Sequence, residues 1–256
     1  MADNPDYRFW LGTHNVSHLE RTDVPLFISF RRLRGRRKQI RQLGPVAIDS
    51  GGFSELSLNG GWSISPSDYI AELRRLRDEV GLSFEWAAQQ DMMCEPHMIR
   101  RTGLSVAEHQ AHTVENLITL RSLAPEIHFI PVLQGQSAAD YLEHFEAFRN
   151  AGFDLTLEPL VGLGSVCRRQ SDSEIKELID ALSGMGVNLH GFGVKTRGLA
   201  DYAGRLVSSD SMAWSLNGRY SSDRCRSCLT RDDPPMSCAN CLEYALAWRE
   251  NLLEGV

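Results

Sequence analysis

The sequence predicts an α/β fold, a (β/α)8 TIM-like barrel carrying a cysteine-rich C-terminal element. Short apolar runs bounded by turn residues recur eight times, most are separated by segments of helical periodicity, and 256 residues is the usual length of such a barrel. The competing architecture is a doubly wound open sheet. With 42% hydrophobic and 23% charged residues there is enough apolar material for one large core, so residues 1–256 are expected to form a single barrel domain.

In chain order, the strands are expected at Arg8–Gly12, Pro25–Phe30 and Pro45–Asp49. The connections after the first two are too short for full helices. A helix follows at Pro66–Val80, started by Ser65 or Ser67, with Tyr69, Leu73, Leu76 and Val80 on one face. The fourth strand, Leu82–Ala87, runs into Gln89-Gln90-Asp91. A long helix over Val106–Leu123 is broken by Pro125, and the fifth strand, Ile127–Leu133, ends in Gln134-Gly135. Helices at Ser137–Ala151 and Asp172–Met185, stopped by Gly152 and Gly186, flank a sixth strand at Leu155–Val161 that ends in Gly162-Leu163-Gly164. The seventh strand is Asn188–Val194. A short helix at Leu199–Ala203 precedes the eighth strand, Arg205–Ser209, which ends at Asp210, and a last helix at Leu242–Leu252 closes the barrel.

Barrel enzymes keep their chemistry at the C-terminal ends of the strands. The polar residues there are Asp49, Asp91, Gln134, the glycines at 162 and 164, and Asp210, from five different strands. Asp49 is followed by Ser50 and the pair Gly51-Gly52, which lack the Cβ atoms that would hold a flat ligand off the backbone. Read alone, Asp49 is equally a helix cap after a turn. Behind the last strand, Cys225-Arg-Ser-Cys228 and Cys238-Ala-Asn-Cys241 stand nine residues apart. That spacing suits a closed tetrahedral Zn²⁺ site in the subregion 222–245, with a redox or disulfide role as the alternative. Cys94 and Cys167 read as partly buried thiols. The pair His109 and His112 reads as a solvated helix face, and His14 with Asn15 as rim residues able to touch a phosphate or a sugar.

The net charge of −6 argues against wholesale wrapping of a polyanion, yet Arg31, Arg32, Arg34, Arg36, Arg37 and Lys38 make a local basic run. It is either a solvated surface helix or a phosphate contact. No apolar run approaches the ~20 residues of a membrane span and no signal-peptide core opens the chain, so a cytoplasmic location without a membrane partner is expected.

Asp-Ser-Gly-Gly-Phe at 49–53, Gln-Gly at 134–135, Gly-Leu-Gly at 162–164, Gly-Phe-Gly-Val at 191–194, Asp210 and the cysteine cluster together resemble the tRNA-guanine transglycosylases over about residues 45–245. Within that superfamily the chain is most similar to the branch that exchanges guanine in DNA for a 7-deazaguanine base. The resemblance implies Asp210 as the nucleophile on C1′ and Asp49 as the acid/base. It implies Asp91 and Gln134 as readers of the guanine edge, with Gln89, Gln90 and Glu95 near enough to replace Asp91. Phe53 and Phe192 would sandwich the base, and Ser50, Gly51, Gly52, Gly135, Gly162 and Gly164 would surround it. The implied cofactor is structural Zn²⁺, here on four cysteines where the tRNA enzymes use three and one histidine. The implied partners are nucleic acid, with DNA favoured over tRNA, and guanine or a preQ0-like 7-deazaguanine. The resemblance leaves open whether an accessory ATPase opens the substrate. Arg168 and Arg169 join the basic run as candidate backbone contacts. The alternatives are the same exchange on tRNA and a non-catalytic nucleic-acid-binding barrel subunit.

Overall fold

The computed structural model describes residues 7–165, 172–194, 199–221, 225–230 and 235–255. Nine parallel strands form one sheet: β1 (Arg8–Thr13), β2 (Leu26–Ser29), β3 (Val46–Asp49), β4 (Trp86–Ala88), β5 (Phe129–Ile130), β6 (Val132–Leu133), β7 (Val161–Leu163), β8 (Leu189–Gly191) and β9 (Ser208–Ser211). Their order is β5-β4-β3-β2-β1-β9-β8-β7-β6. The two ends of that order, β5 and β6, flank a single residue, Pro131. Proline has no N–H to donate to a ladder, but its carbonyl accepts from Gly162 N at 2.8 Å. The fifth expected strand is therefore one strand interrupted at Pro131. It joins both ends of the sheet, and the ring of eight closes through it.

The helices on the outside are α1 (Phe30–Leu33), α2 (Gly52–Asn59), α3 (Pro66–Asp78), α4 (Pro96–Thr102), α5 (Val106–Leu123), α6 (Ala138–Asn150), α7 (Asp172–Gly184), α8 (Leu199–Tyr202), α9 (Ala213–Tyr220), α10 (Arg226–Leu229) and α11 (Leu242–Leu253). The connections after β1 and β2 are a single 3-10 turn, Val16–Glu20, and the four-residue α1. Serine side chains at 65, 105 and 137 cap α3, α5 and α6, and at Ser105 and Ser137 the cap is reciprocal with Glu108 and Asp140. Each such cap contributes about 1 kcal/mol. Among the described residues no helix is long and apolar enough to cross a membrane.

Four expectations shift. Only Val161 of the sixth expected strand belongs to β7, because Leu155–Leu160 is a turn-rich lead-in whose Leu155 and Leu160 are buried by side-chain packing. The fourth strand starts at Trp86, four residues late. The eighth starts at Ser208, after a 3-10 turn at Ala203–Arg205, so Asp210 lies within the strand and not beyond it. The Arg31–Lys38 run is helical only through Leu33.

Side-chain alternation along the strands builds two cores. Phe9 and Leu11 on β1, Leu26 and Ile28 on β2, and Val46 and Ile48 on β3 face the helices and join one large cluster. Trp10, Phe27, Ala47, Trp86, Ile130 and Leu160 face inward and fill the barrel. Because the strand period is two, Asp49 shares the inward face with Ala47. On β9, Asp210 pairs in register with Trp10, again on the inner side.

The seam between β1 and β9 is clamped from outside. Trp214 on α9 is fully buried and its Nε1 donates to the Gly12 carbonyl at 2.7 Å. Trp214→Phe keeps an aromatic ring but removes the donor to that buried carbonyl and part of the packed volume, so it should cost at least about 1–3 kcal/mol in denaturant unfolding. An unchanged unfolding midpoint would contradict this role.

Candidate active site at the mouth of the barrel

Above the aromatic floor a cavity of about 200 Å³ opens between the C-terminal ends of the strands. Asp49 enters it from the end of β3 and Asp210 from β9. Asp49 Oδ1 accepts from Gly51 N at 3.1 Å. Gly51 holds φ +83°, a left-handed turn that suits glycine and starts α2. Burial pushes the Asp49 carboxyl above the ordinary carboxylate range, and the charge of Asp210 pushes the same way, against hydrogen bonds from Gly51 and Ser29. Asp210 Oδ1 accepts from Gly193 N at 3.0 Å and faces His190 Nε2 at 3.3 Å. His190 is fully buried, with Nδ1 2.8 Å from Ser208 Oγ. Among the described residues no donor engages Asp210 Oδ2.

Opposite the acids, Asp91 and Gln134 form one polar edge. Gln134 Nε2 donates to Asp91 Oδ2 in a short contact. Gln134 Oε1 lies 2.5 Å from Ser165 Oγ, whose other neighbours are Glu95 Oε2 at 3.0 Å and Cys94 N at 2.9 Å. Ser165 adopts φ +56°, rare for a residue with a side chain, and that conformation aims its hydroxyl at the amide. The amide is thus fixed with one N–H on Asp91 and a second N–H left over. Burial raises the Asp91 pKa to about 7, with the charges of Asp49 and Glu95 adding to it.

Phe53 and Phe192 also line the cavity, with Ser50, Gly52 and Gly164. Phe192 stacks on Phe27 with centroids 5.9 Å apart. Gly162 does not reach the cavity; a Cβ there would collide with the Phe192 ring, so its bare backbone is what lets that ring lie down. A Cβ at Gly164 would likewise strike the Gln134 amide. Gly51 shapes the turn under Asp49. Gly135 lies outside the cavity, in a neighbouring one with Cys94 and Glu95. Of the residues that could replace Asp91, Gln90 turns its amide to the Ile64 carbonyl, Glu95 sits behind Ser165, and Gln89 is buried away from the cavity wall.

Several residues in or beside this site escaped the motif reading. Ser29 was findable by register, since it pairs with Asp49 across β2 and β3. Gly193 lay inside the Gly-Phe-Gly-Val motif without a role of its own, and Phe27, Ser165 and His190 carry no pattern. Two readings need correction: His109 is not on a solvated face but buried, with Nδ1 2.7 Å from the Met93 carbonyl, because α5 turns that side toward the β4 loop. Cys94 is fully buried, and burial raises its thiol well above the ordinary range. His112 is solvent-exposed as expected. Cys167, Arg168 and Arg169 lie outside the described residues.

At the C-terminal side the four cysteine sulfurs converge. Cys225 Sγ is 3.1 Å from Cys241 Sγ and 3.6 Å from Cys238 Sγ, and the ligand atoms of Cys225, Cys228 and Cys238 all lie within 4.8 Å of one another. None of the four is in a disulfide. Burial and the surrounding thiols push the Cys228 thiol upward, a crowding that a bound cation would relieve. The cluster could hold a metal.

One family profile, DpdA (DeoxyPurine in DNA protein A), matches residues 6–256, nearly the whole chain. The chain belongs to the DpdA family. That family is tRNA-guanine transglycosylase-like and supports a DNA-modifying, transglycosylase-type function in general terms. No curated protein matches the chain.

The raised carboxyls have a measurable consequence. Folded Asp91 keeps its proton up to about pH 7, whereas an unfolded aspartate loses it near 3.8. Between those values the folded state binds more protons, so stability falls as pH rises through this window, by at most about 1.4 kcal/mol per pH unit. Asp91→Asn should flatten this slope in urea unfolding between pH 4.5 and 7, leaving only what Asp49, also raised, contributes. An unchanged slope would show that Asp91 ionises normally.

Proposed function

We propose that the protein is a pentosyltransferase that exchanges guanine in DNA for a preQ0-like 7-deazaguanine through a covalent Asp210 adduct. The observation that carries this reading is the pair of inward acids at one cavity. One is disposed to hold a proton by burial and by the other's charge, and the other has one oxygen that no donor among the described residues engages.

In the first half-reaction Asp210 Oδ2 attacks C1′, the C1′–N9 bond breaks, and Asp49 gives its proton to the departing guanine. In the second, Asp49 as carboxylate takes a proton from the incoming 7-deazaguanine, whose nitrogen displaces Asp210 from C1′. Proton and bond balance return to the start. Asp91 in its carboxylate form would accept from the N1–H and 2-amino groups of the base, and the spare N–H of Gln134 would serve O6. Stacking between Phe53 and Phe192 would contribute about 1–3 kcal/mol per base. Ser50, Gly52 and Gly164 complete the wall by leaving room for the ring.

The four cysteines 225, 228, 238 and 241 would hold structural Zn²⁺ in a closed site within the 222–245 subregion of a single 1–256 barrel domain. An all-sulfur donor set suits that ion, which would cross-link the segments around α10 and α11. A guanine inside a duplex has to be unpaired first, a step for which an accessory ATPase is the partner we envisage.

Incubation with a guanine-containing DNA oligonucleotide should trap a denaturant-stable adduct, and Asp210→Ala should lower exchange at least about a thousandfold and abolish the adduct. An adduct that persists removes the proposed nucleophile. Labelled guanine entering tRNA but not DNA would move the same chemistry to tRNA, and no incorporation into either would favour a binding subunit. For the metal, wild-type protein should carry about one zinc per chain and Cys225→Ser markedly less by elemental analysis; equal zinc in both would refute the site.

A further inference from the structure

The 200 Å³ cavity is smaller than the roughly 300–1,000 Å³ that ligand pockets usually offer, and suits a single base. A second cavity, of about 550 Å³, opens on the other side of the same acids: Phe27, Asp49 and Asp210 belong to both walls. The rest of its wall has a different chemistry, with His14 after β1, Arg31 and Arg32 on α1, and Ser54 in the first turn of α2.

The two arginines are not equivalent. Arg31 Nη1 pairs with Glu55 Oε1 at 3.0 Å, and its stem lies against Gly51, where a Cβ would come within 2.9 Å of Arg31 Cγ. Glu55 is buried and also accepts from Ser63 and Asn59, so it is a fixed counter-charge. Arg32 is exposed on the same short helix and has no carboxylate within ion-pair distance among the described residues. The opposite wall is fixed too. His14 is bonded through Nε2 to Asn240 Oδ1 and stacks on Trp214, with ring planes 9° apart.

Base exchange requires C1′ within reach of Asp210, so the sugar must bridge the wall that the cavities share. The chain on the far side of that sugar then enters the second cavity, where one guanidinium has no carboxylate partner among the described residues. Resting on the base-exchange reading, we propose that the second cavity seats a phosphodiester flanking the exchanged nucleotide, with Arg32 as its charged partner. The contact is indifferent to base identity and sets the register of the sugar against Asp210. A free base makes no use of it.

The test pairs Arg32→Gln with a short single-stranded guanine oligonucleotide in which each phosphate beside the guanine is replaced in turn by a neutral methylphosphonate. Arg32 is solvent-exposed, so folding is not at risk. The variant should bind the all-phosphate strand about tenfold more weakly at low salt, with a log–log salt slope reduced by roughly 0.7, while the KM for free base is unchanged. One methylphosphonate should cost wild type the same tenfold and the variant less than twofold, and Arg32→Lys should recover most of the affinity. If the variant loses equally on every strand, or loses nothing, the seat is overturned even where the adduct still forms. If Arg32 couples to one phosphate but no adduct or exchange appears, the seat stands and the base-exchange reading falls.

Discussion

Two carboxylates at one barrel mouth, Asp210 buried and Asp49 half-buried, are the constraint that organises this molecule. At an effective dielectric of about 20, two unit charges 4 Å apart repel by about 4 kcal/mol, and taking each from water costs more. The structure answers with an N–H on each acid, from Gly51 and Gly193, and with burial that disposes Asp49 to stay protonated beside Asp210. An apolar core would have avoided the cost. Such an arrangement is what functional sites retain and folding alone does not need.

The surroundings are built to tolerate it. Trp10, Phe27 and Trp86 fill the barrel beneath the acids and exclude water from below. The polar edge of Asp91, Gln134 and Ser165 is a chain in which each member fixes the next, and it is completed by a serine in a left-handed conformation. Glycines at 162 and 164 stand where side chains would displace Phe192 and Gln134. A flat slot with a pre-oriented edge loses little freedom when a purine enters.

The cysteine cluster joins this site indirectly. Asn240 sits between Cys238 and Cys241 and reaches His14, which stacks on Trp214, and Trp214 holds the Gly12 carbonyl at the β1–β9 seam. Order among the thiols therefore propagates to the rim beside Asp210. A metal held by these thiols would be linked to the last strand without touching the two acids.

Much of this was legible in the chain. The parallel barrel followed from apolar runs alternating with helical periodicity, and strand alternation alone places Asp49 on the face of Ala47, away from Val46 and Ile48. Cysteine spacing foretold the clustering of thiols, because a turn of that length brings sulfurs together locally. Other features were decided only by tertiary structure. Closure through the strand broken at Pro131, His190 under Asp210, Ser165 behind Gln134, and the pairing of Arg31 with Glu55 all depend on contacts across long sequence separation. A sequence states which side chains exist and the period on which they repeat. Their neighbours, their burial and hence their protonation are set by the packing of segments that the linear order keeps apart.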